Sequence, residues 1–102
     1  MFNVRTLSKP ISSISSVEEH LINAMQALGD KTRYKMFKIM QTNKQMCVSE
    51  IAHELGLSVP AVSQNFRIME LVGLVGKQRF GQKMCYELKL DDPLIKKLVE
   101  IT

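Results

Sequence analysis

A mainly α-helical domain carrying one small β-hairpin is predicted by three features of the sequence. Apolar residues recur at helical spacing on both sides of the break Gly56-Leu57-Ser58, a glycine at 81 separates two stretches of alternating character, and 102 residues with 45% hydrophobic content suit one small domain. Residues 1–15 are set apart as an N-terminal arm, which could be flexible, pack across a second subunit or touch DNA. Residues 16–102 form the domain. The arm mixes scattered apolar residues with serines and a proline and lacks the continuous apolar core of a signal peptide. No apolar run approaches membrane-spanning length, so a soluble, cytoplasmic protein is expected.

The first helix is predicted to open at Ser16, as N-cap of a capping box with Glu19, and to last to about Leu28. Val17, Leu21, Ala24, Met25 and Leu28 line one face of it. Gly29 closes it and Asp30 caps the next helix, in which Tyr34, Phe37, Ile39 and Met40 are the core candidates and Lys31, Arg33, Lys35 and Lys38 cover the remaining surface. A third, short helix starts near Val48, with Glu50 reaching back to the first-turn amides. Its apolar set is Val48, Ile51, Ala52 and Leu55, and Gly56 supplies a stop tolerant of positive φ.

Ser58 is a strong N-cap for the helix predicted over 59–72, and Pro60 is tolerated in that helix's first turn. The break is too short for a further element, so the two helices must cross steeply. Val59, Val62, Phe66 and Met69 fall in one inward stripe. That turns Pro60, Ala61, Gln64 and Arg67 outward, with Ser63 and Asn65 at the borders. Gly73 ends the helix, and 74–90 reads as a hairpin turning at Phe80-Gly81-Gln82. Asp91 and Asp92 before Pro93 open a last helix, with Leu94, Leu98 and Ile101 on one side, Ile95 and Val99 nearby, and Lys96, Lys97 and Glu100 facing out. So short a terminal helix needs docking, expected against the first helix of both subunits of a dimer.

The outward set of the 59–72 helix offers amide, hydroxyl and guanidinium groups and one acid, Glu70, the chemistry that reads base edges and phosphates in a major groove. A merely solvated polar face would look similar. The charge distribution separates the two. Of the formal net charge of +4, Asp30 to Gln41 carries Lys31, Arg33, Lys35 and Lys38 against Asp30, and Ser58 to Leu90 carries Arg67, Lys77, Arg79, Lys83 and Lys89 against Glu70 and Glu87. A basic hairpin directly after two crossed helices is the wing that straddles a phosphate backbone. The architecture expected is a winged helix-turn-helix with flanking N- and C-terminal dimerisation helices. Double-stranded DNA is the expected partner, contacted by Ser58, Pro60, Ala61, Ser63, Gln64, Asn65, Arg67, Lys77, Arg79, Gln82 and Lys83. Arg5 and Lys9 of the arm are further candidates for DNA contact, unless the arm is flexible or packs across a second subunit.

Several ordered blocks carry a resemblance. Ala27-Leu28-Gly29-Asp30-Lys31-Thr32-Arg33, Cys47-Val48-Ser49-Glu50-Ile51-Ala52, Leu57-Ser58, Ala61-Val62-Ser63 and Gly73-Leu74-Val75 resemble the signature of the ArsR/SmtB winged-helix repressors, over about residues 16–90. The resemblance implies a homodimer whose two recognition helices enter successive major grooves of an inverted repeat. Ser63, Gln64 and Arg67 fall at positions this family uses on DNA, and Arg79 and Lys83 fall in its wing. Lys31 stands where proline is usual, Asn65 where histidine is common and Leu71 where a polar residue is usual, so the target sequence is not inherited from relatives. The dimer interface is expected to use Val17, Leu21, Met25, Leu94, Leu98 and Ile101.

Many members of this family sense metals through cysteines before the first reading helix or through acids and histidines in the last helix. Cys47-Val48-Ser49 offers one thiolate where two are usual, and no histidine follows His53, so no metal and no cofactor are expected. In winged domains the residues before the first reading helix often add a strand to the wing sheet, which would bring Cys47 near Cys85. Cys47 would then sit at a helix N-terminus, which favours thiolate reactivity. Two readings stay open: a redox-responsive pair, or two reduced cysteines acting as small apolar side chains. Met25, Met36, Met40 and Met69 are read as core filling. An enzyme is not expected, since there is no glycine-rich phosphate loop, no cluster of paired carboxylates and no nucleophile with a recognisable base. The other functional class kept open is a protein-interaction module using Ile68 and Leu71.

Overall fold

A computed structural model describes residues 13–102. The expectations for Arg5 and Lys9 lie outside the described residues. The element order is α1 (Ser16–Leu28), α2 (Lys31–Thr42), β1 (Gln45–Cys47), α3 (Val48–Leu55), α4 (Val59–Leu71), β2 (Val75–Phe80), β3 (Lys83–Leu88) and α5 (Pro93–Ile101). The three strands form one antiparallel sheet in the order β1-β3-β2. Together they make a winged helix-turn-helix.

Local chemistry sets most of these boundaries. Ser15, one residue earlier than expected, caps α1: its hydroxyl accepts the Glu18 amide at 3.1 Å, and Glu18 Oε1 accepts the Ser15 amide at 2.9 Å. Both Ser15/Glu18 and Ser16/Glu19 satisfy the capping-box spacing, and the helix takes the earlier pair. Asp30 accepts the Arg33 amide at 3.1 Å and caps α2. At the end of α3, Gly56 adopts φ 65, and the Leu57 amide donates back to the Ala52 carbonyl at 2.9 Å, closing the helix in a Schellman pattern. The chain can then restart within two residues, where the Ser58 hydroxyl accepts the Ala61 amide at 3.2 Å. Gly81, at φ 62, begins the two-residue turn that pairs Phe80 with Lys83, a position where hairpins of this length favour glycine.

The core lies between α2, α4 and the inner face of the sheet. Met36, Phe37 and Met40 of α2, Val62, Phe66 and Met69 of α4, and Leu74, Val75, Tyr86 and Leu88 around the wing are buried in one cluster with Ile51 and Ile95. The Phe66 ring stacks on Tyr86, with centroids 4.1 Å apart and planes 7° from parallel. This contact bolts the inner face of α4 to the middle of β3. Burial raises the Tyr86 hydroxyl above its ordinary pKa, the nearby Glu70 carboxylate adds to the effect, and Arg67 opposes it.

The packing corrects four expectations. Val59 is 49% exposed, because the buried stripe of α4 starts at Val62 and the first turn projects beyond the core. Tyr34 is also exposed, and Met36 takes the core position beside Phe37. Met25 faces outward and fills no core, since α1 packs through the smaller Ala24 and Ala27. Leu98, grouped with the interface residues on its spacing, is packed with Ile95 inside the chain's own core.

α5 is held to α1 by a polar pair. His20 Nε2 stands 2.8 Å from Asp92 Oδ2, while Asp92 Oδ1 accepts the Leu94 amide and caps α5. The hydrogen bond from His20 holds the Asp92 carboxyl below its ordinary pKa, desolvation works against it, and the Leu94 amide helps. A depressed aspartate pKa contributes stability above the unfolded value, and that contribution is lost as pH falls through the folded one. Thermal melts should therefore find Asp92→Asn, which keeps a capping oxygen but no titrating charge, less stable than the parent near neutrality. The gap should hold down to the ordinary aspartate range, about pH 4, and close as pH falls further, through the lowered folded value. Phe66→Ala, which removes the stacked ring from the centre of the core, should cost about 3–5 kcal/mol in a denaturant titration.

Candidate nucleic-acid interface

α4 is fixed from behind by its buried stripe and at its start by the Ser58 cap, which leaves its other face to solvent. Ser58, Pro60, Ser63, Gln64 and Arg67 are exposed on it, and Ala61 is half-buried. Asn65 is different. Its Oδ1 accepts a hydrogen bond from Arg33 Nη1 at 3.0 Å and its Nδ2 donates to the Ala61 carbonyl at 3.0 Å, so the side chain is half-buried and already engaged within the protein. Arg33 completes the strut by donating from Nε to the Ala27 carbonyl at 2.8 Å, tying the end of α1 and the start of α2 to α4. Sequence spacing gave no sign of this arrangement, because Arg33 and Asn65 are 32 residues apart.

The wing brings the second set of groups. Lys77 and Arg79 alternate along β2 with Gln78, whose Nε2 donates to Glu87 Oε1 at 2.7 Å across to β3. That bond occupies one of the two acids near the wing and leaves the neighbouring cations exposed. Lys77, Arg79, Gln82 and Lys83 are all exposed. Among the described residues, Arg67, Lys77, Arg79 and Lys83 have no carboxylate within salt-bridge distance. Uncompensated cations exposed on the wing and on α4 attract polyanions at long range.

The two sets meet. A groove of about 260 Å³ is lined by Cys47, Val48 and Ser49 from the start of α3, Val59 and Ser63 from α4, and Gln82, Lys83 and Met84 from the wing tip. The hairpin turn therefore stands beside the first half of α4, and Val59 faces this groove. Ser49, exposed in the first turn of α3, is a polar member of the groove that the sequence reading did not single out. Its signal was available in principle, since Ser49 lies nearly opposite the buried Ile51 around the helix.

Cys47 and Cys85 are register partners on β1 and β3 and are joined by a disulfide. Among the described residues no group of three or more His, Cys, Asp or Glu side chains is placed to hold a metal ion. No described helix is long and apolar enough to cross a membrane. Of the two residues that would serve a protein-docking face on α4, Ile68 packs against the core and Leu71 is 79% exposed. Elsewhere the apolar side chains exposed in greatest proportion are Val17 and Met25, on one face of α1 with the half-buried Leu21, and Ile101 at the end of α5. Leu94 is half-buried.

Residues 30–77, from the cap of α2 to the middle of β2, match the model of a family described as bacterial regulatory protein, arsR family. The chain is 29% identical over 75 residues, 74% of its length, to a cadmium resistance transcriptional regulatory protein, a CadC homolog of Staphylococcus aureus. It is 31% identical over 68 residues, 67% of its length, to the arsenic resistance transcriptional regulator ArsR1 of Pseudomonas putida. The matched regions span 60% and 53% of those two relatives. In structure it is similar to the homodimeric winged helix-turn-helix DNA-binding domain Mb0332 of Mycobacterium bovis, with a TM-score of 0.75, 18% identity and coverage of 93% of this chain and 85% of that one.

Proposed function

This chain belongs to the arsR family of bacterial regulatory proteins, and from that premise we propose that it is a transcriptional regulator that binds duplex DNA as a homodimer and represses. The observation that carries the reading is the groove where Ser63 of α4 meets Gln82 and Lys83 of the wing, with Gln64 and Arg67 exposed on the same helix. α4 enters the major groove with Ser63 and Gln64 at base edges, a serine hydroxyl and an amide being groups that hydrogen-bond bases there. Ser58, Pro60 and Ala61 form the first turn that approaches the backbone. Arg67, Lys77, Arg79 and Lys83 hold phosphates, and Gln82 lies at the wing tip beside them. Asn65, already engaged by Arg33, serves chiefly to fix the angle of α4 on α2.

The homodimer uses the outward stripe of α1, Val17, Leu21 and Met25, together with Leu94 and Ile101 of α5. Support comes from the exposure of that stripe and from the homodimeric state of the M. bovis domain. A twofold dimer pairs two reading helices, so the operator is an inverted repeat with its half-sites about one helical turn apart. Of the two residues on which the protein-docking alternative rests, Ile68 packs on the core and Leu71 alone is exposed, too little for an interface of ordinary size.

Sites recovered by selection from random duplex DNA test this reading, and symmetric half-sites are the expected outcome. On such a site, Arg79→Ala should weaken binding across all sequences and reduce the slope of log affinity against log salt by about 1. Gln64→Ala should leave that slope unchanged and relax the preference at one base pair of each half-site, by about 1–3 kcal/mol. Failure of the parent to enrich any sequence would refute the assignment.

A further inference from the structure

We propose that Cys47 and Cys85 form a reversible oxidation site whose disulfide clasps the wing to the start of α3 and thereby tightens DNA binding. This rests on the DNA-binding reading above and adds to it a chemical control. The two cysteines lie on facing strands, Cys47 as the last residue of β1 and the N-cap of α3, Cys85 within β3. They are 38 residues apart in sequence. The segment between them holds α3, α4, β2 and the hairpin turn, so every residue proposed to touch DNA, from Ser58 to Lys83, lies inside the loop that the bond closes.

That placement gives the bond a specific consequence. Without it, α3 and the wing are held together by the three residue pairs between β1 and β3 and by side-chain packing. A short edge strand of this kind opens locally more readily than the core. Cross-linking it removes freedom from the segment that must become ordered on DNA, and less ordering cost at docking means tighter binding. The core of α2, α4, Tyr86 and Ile95 is continuous without either sulfur, so the reduced protein stays folded and loses mainly the fixed relation of the wing to the start of α3.

Access is asymmetric, as a reactive pair requires. Cys85 is fully buried, whereas Cys47 is half-buried and lines the groove with Ser49, Ser63 and Lys83. Cys47 is therefore the sulfur that meets reagents. With a hydroperoxide as oxidant, the Cys47 thiolate attacks the O–O bond, releasing an alcohol, or water from hydrogen peroxide, and becoming a sulfenic acid. The Cys85 sulfur then attacks Cys47, the S–O bond breaks, and the hydroxyl leaves as water with the Cys85 proton. Two thiols lose two electrons and two protons, and the peroxide takes up both. In reverse, a dithiol attacks Cys47, expels Cys85 as a thiolate that takes a proton, and closes its own disulfide as Cys47 is released.

The test uses the whole chain, reduced with a dithiol or oxidised with hydrogen peroxide, and intact mass with thiol alkylation reports the bond. Affinity is read by fluorescence anisotropy at fixed salt, on a duplex selected with an equal mixture of the two forms. The oxidised form should bind about three- to tenfold tighter, mainly through slower dissociation. Cys47→Ser should match the reduced parent and ignore peroxide. Cys85→Ala should do the same, and if its buried site does not tolerate the change, the half-exposed Cys47→Ser decides. Equal affinities, tighter binding by the reduced form, absence of the disulfide after peroxide, or a peroxide response surviving in Cys47→Ser would each overturn the proposal while leaving DNA binding itself intact. Retention of no duplex by either form would overturn both.

Discussion

The stack of Phe66 on Tyr86 is the contact on which the remaining geometry depends. It joins the middle of α4 to the middle of β3, so the helix and the wing move as one body. Once Phe66 is fixed inward, the 3.6-residue period places Gln64 and Arg67 outward without further instruction. Once Tyr86 is fixed inward, strand alternation and the Lys77↔Tyr86 and Arg79↔Met84 pairings set where the basic side chains of β2 emerge. A helix and a hairpin that are separate in sequence thus become a single surface, because each buries one aromatic ring against the other's.

Around that bolt, polar contacts set the angles. Arg33 spans from the Ala27 carbonyl to Asn65 and fixes α4 against the α1–α2 corner. His20 and Asp92 fix α5 against α1. Arg33, one of several bases expected on the surface of α2, is drawn into the first contact, and His20 of α1 makes the second. They act instead as braces. Among the described residues, Arg67 of α4 and Lys77, Arg79 and Lys83 of the wing stay exposed with no carboxylate in salt-bridge range, so their charge is left free for a partner.

The fold was largely legible because its signals are local. The caps at Asp30 and Ser58, the positive-φ stop at Gly56 and the hairpin turn at Gly81 each depend on a few neighbouring residues, and each fell where expected. The α1 cap slipped by one residue because two overlapping serine–glutamate pairs fit the same motif. The errors were errors of packing: Val59 and Met25 follow the helical period of their helices, but the core ends before it reaches them. Leu98 was misplaced for the opposite reason, since a single sequence does not say whether an apolar stripe is covered by its own chain or by another. At the interface, exposure of Gln64 and Arg67 followed from periodicity, whereas the engagement of Asn65 by Arg33 is a long-range contact with no local signature. The neighbouring placement of Cys47 and Cys85 was inferred only through the resemblance, which implied a strand before the first reading helix.

The central claim is that one continuous face, formed by the start of α4 and the wing tip, docks on duplex DNA. Amide chemical-shift mapping of the isotope-labelled protein, titrated with a selected duplex, tests it most directly. The account predicts perturbations concentrated at Ser58–Arg67 and Lys77–Lys83, with the outer faces of α1 and α5 left nearly unchanged. Perturbations centred on α1 and α5, with the reading helix and wing silent while the duplex is bound, would contradict it.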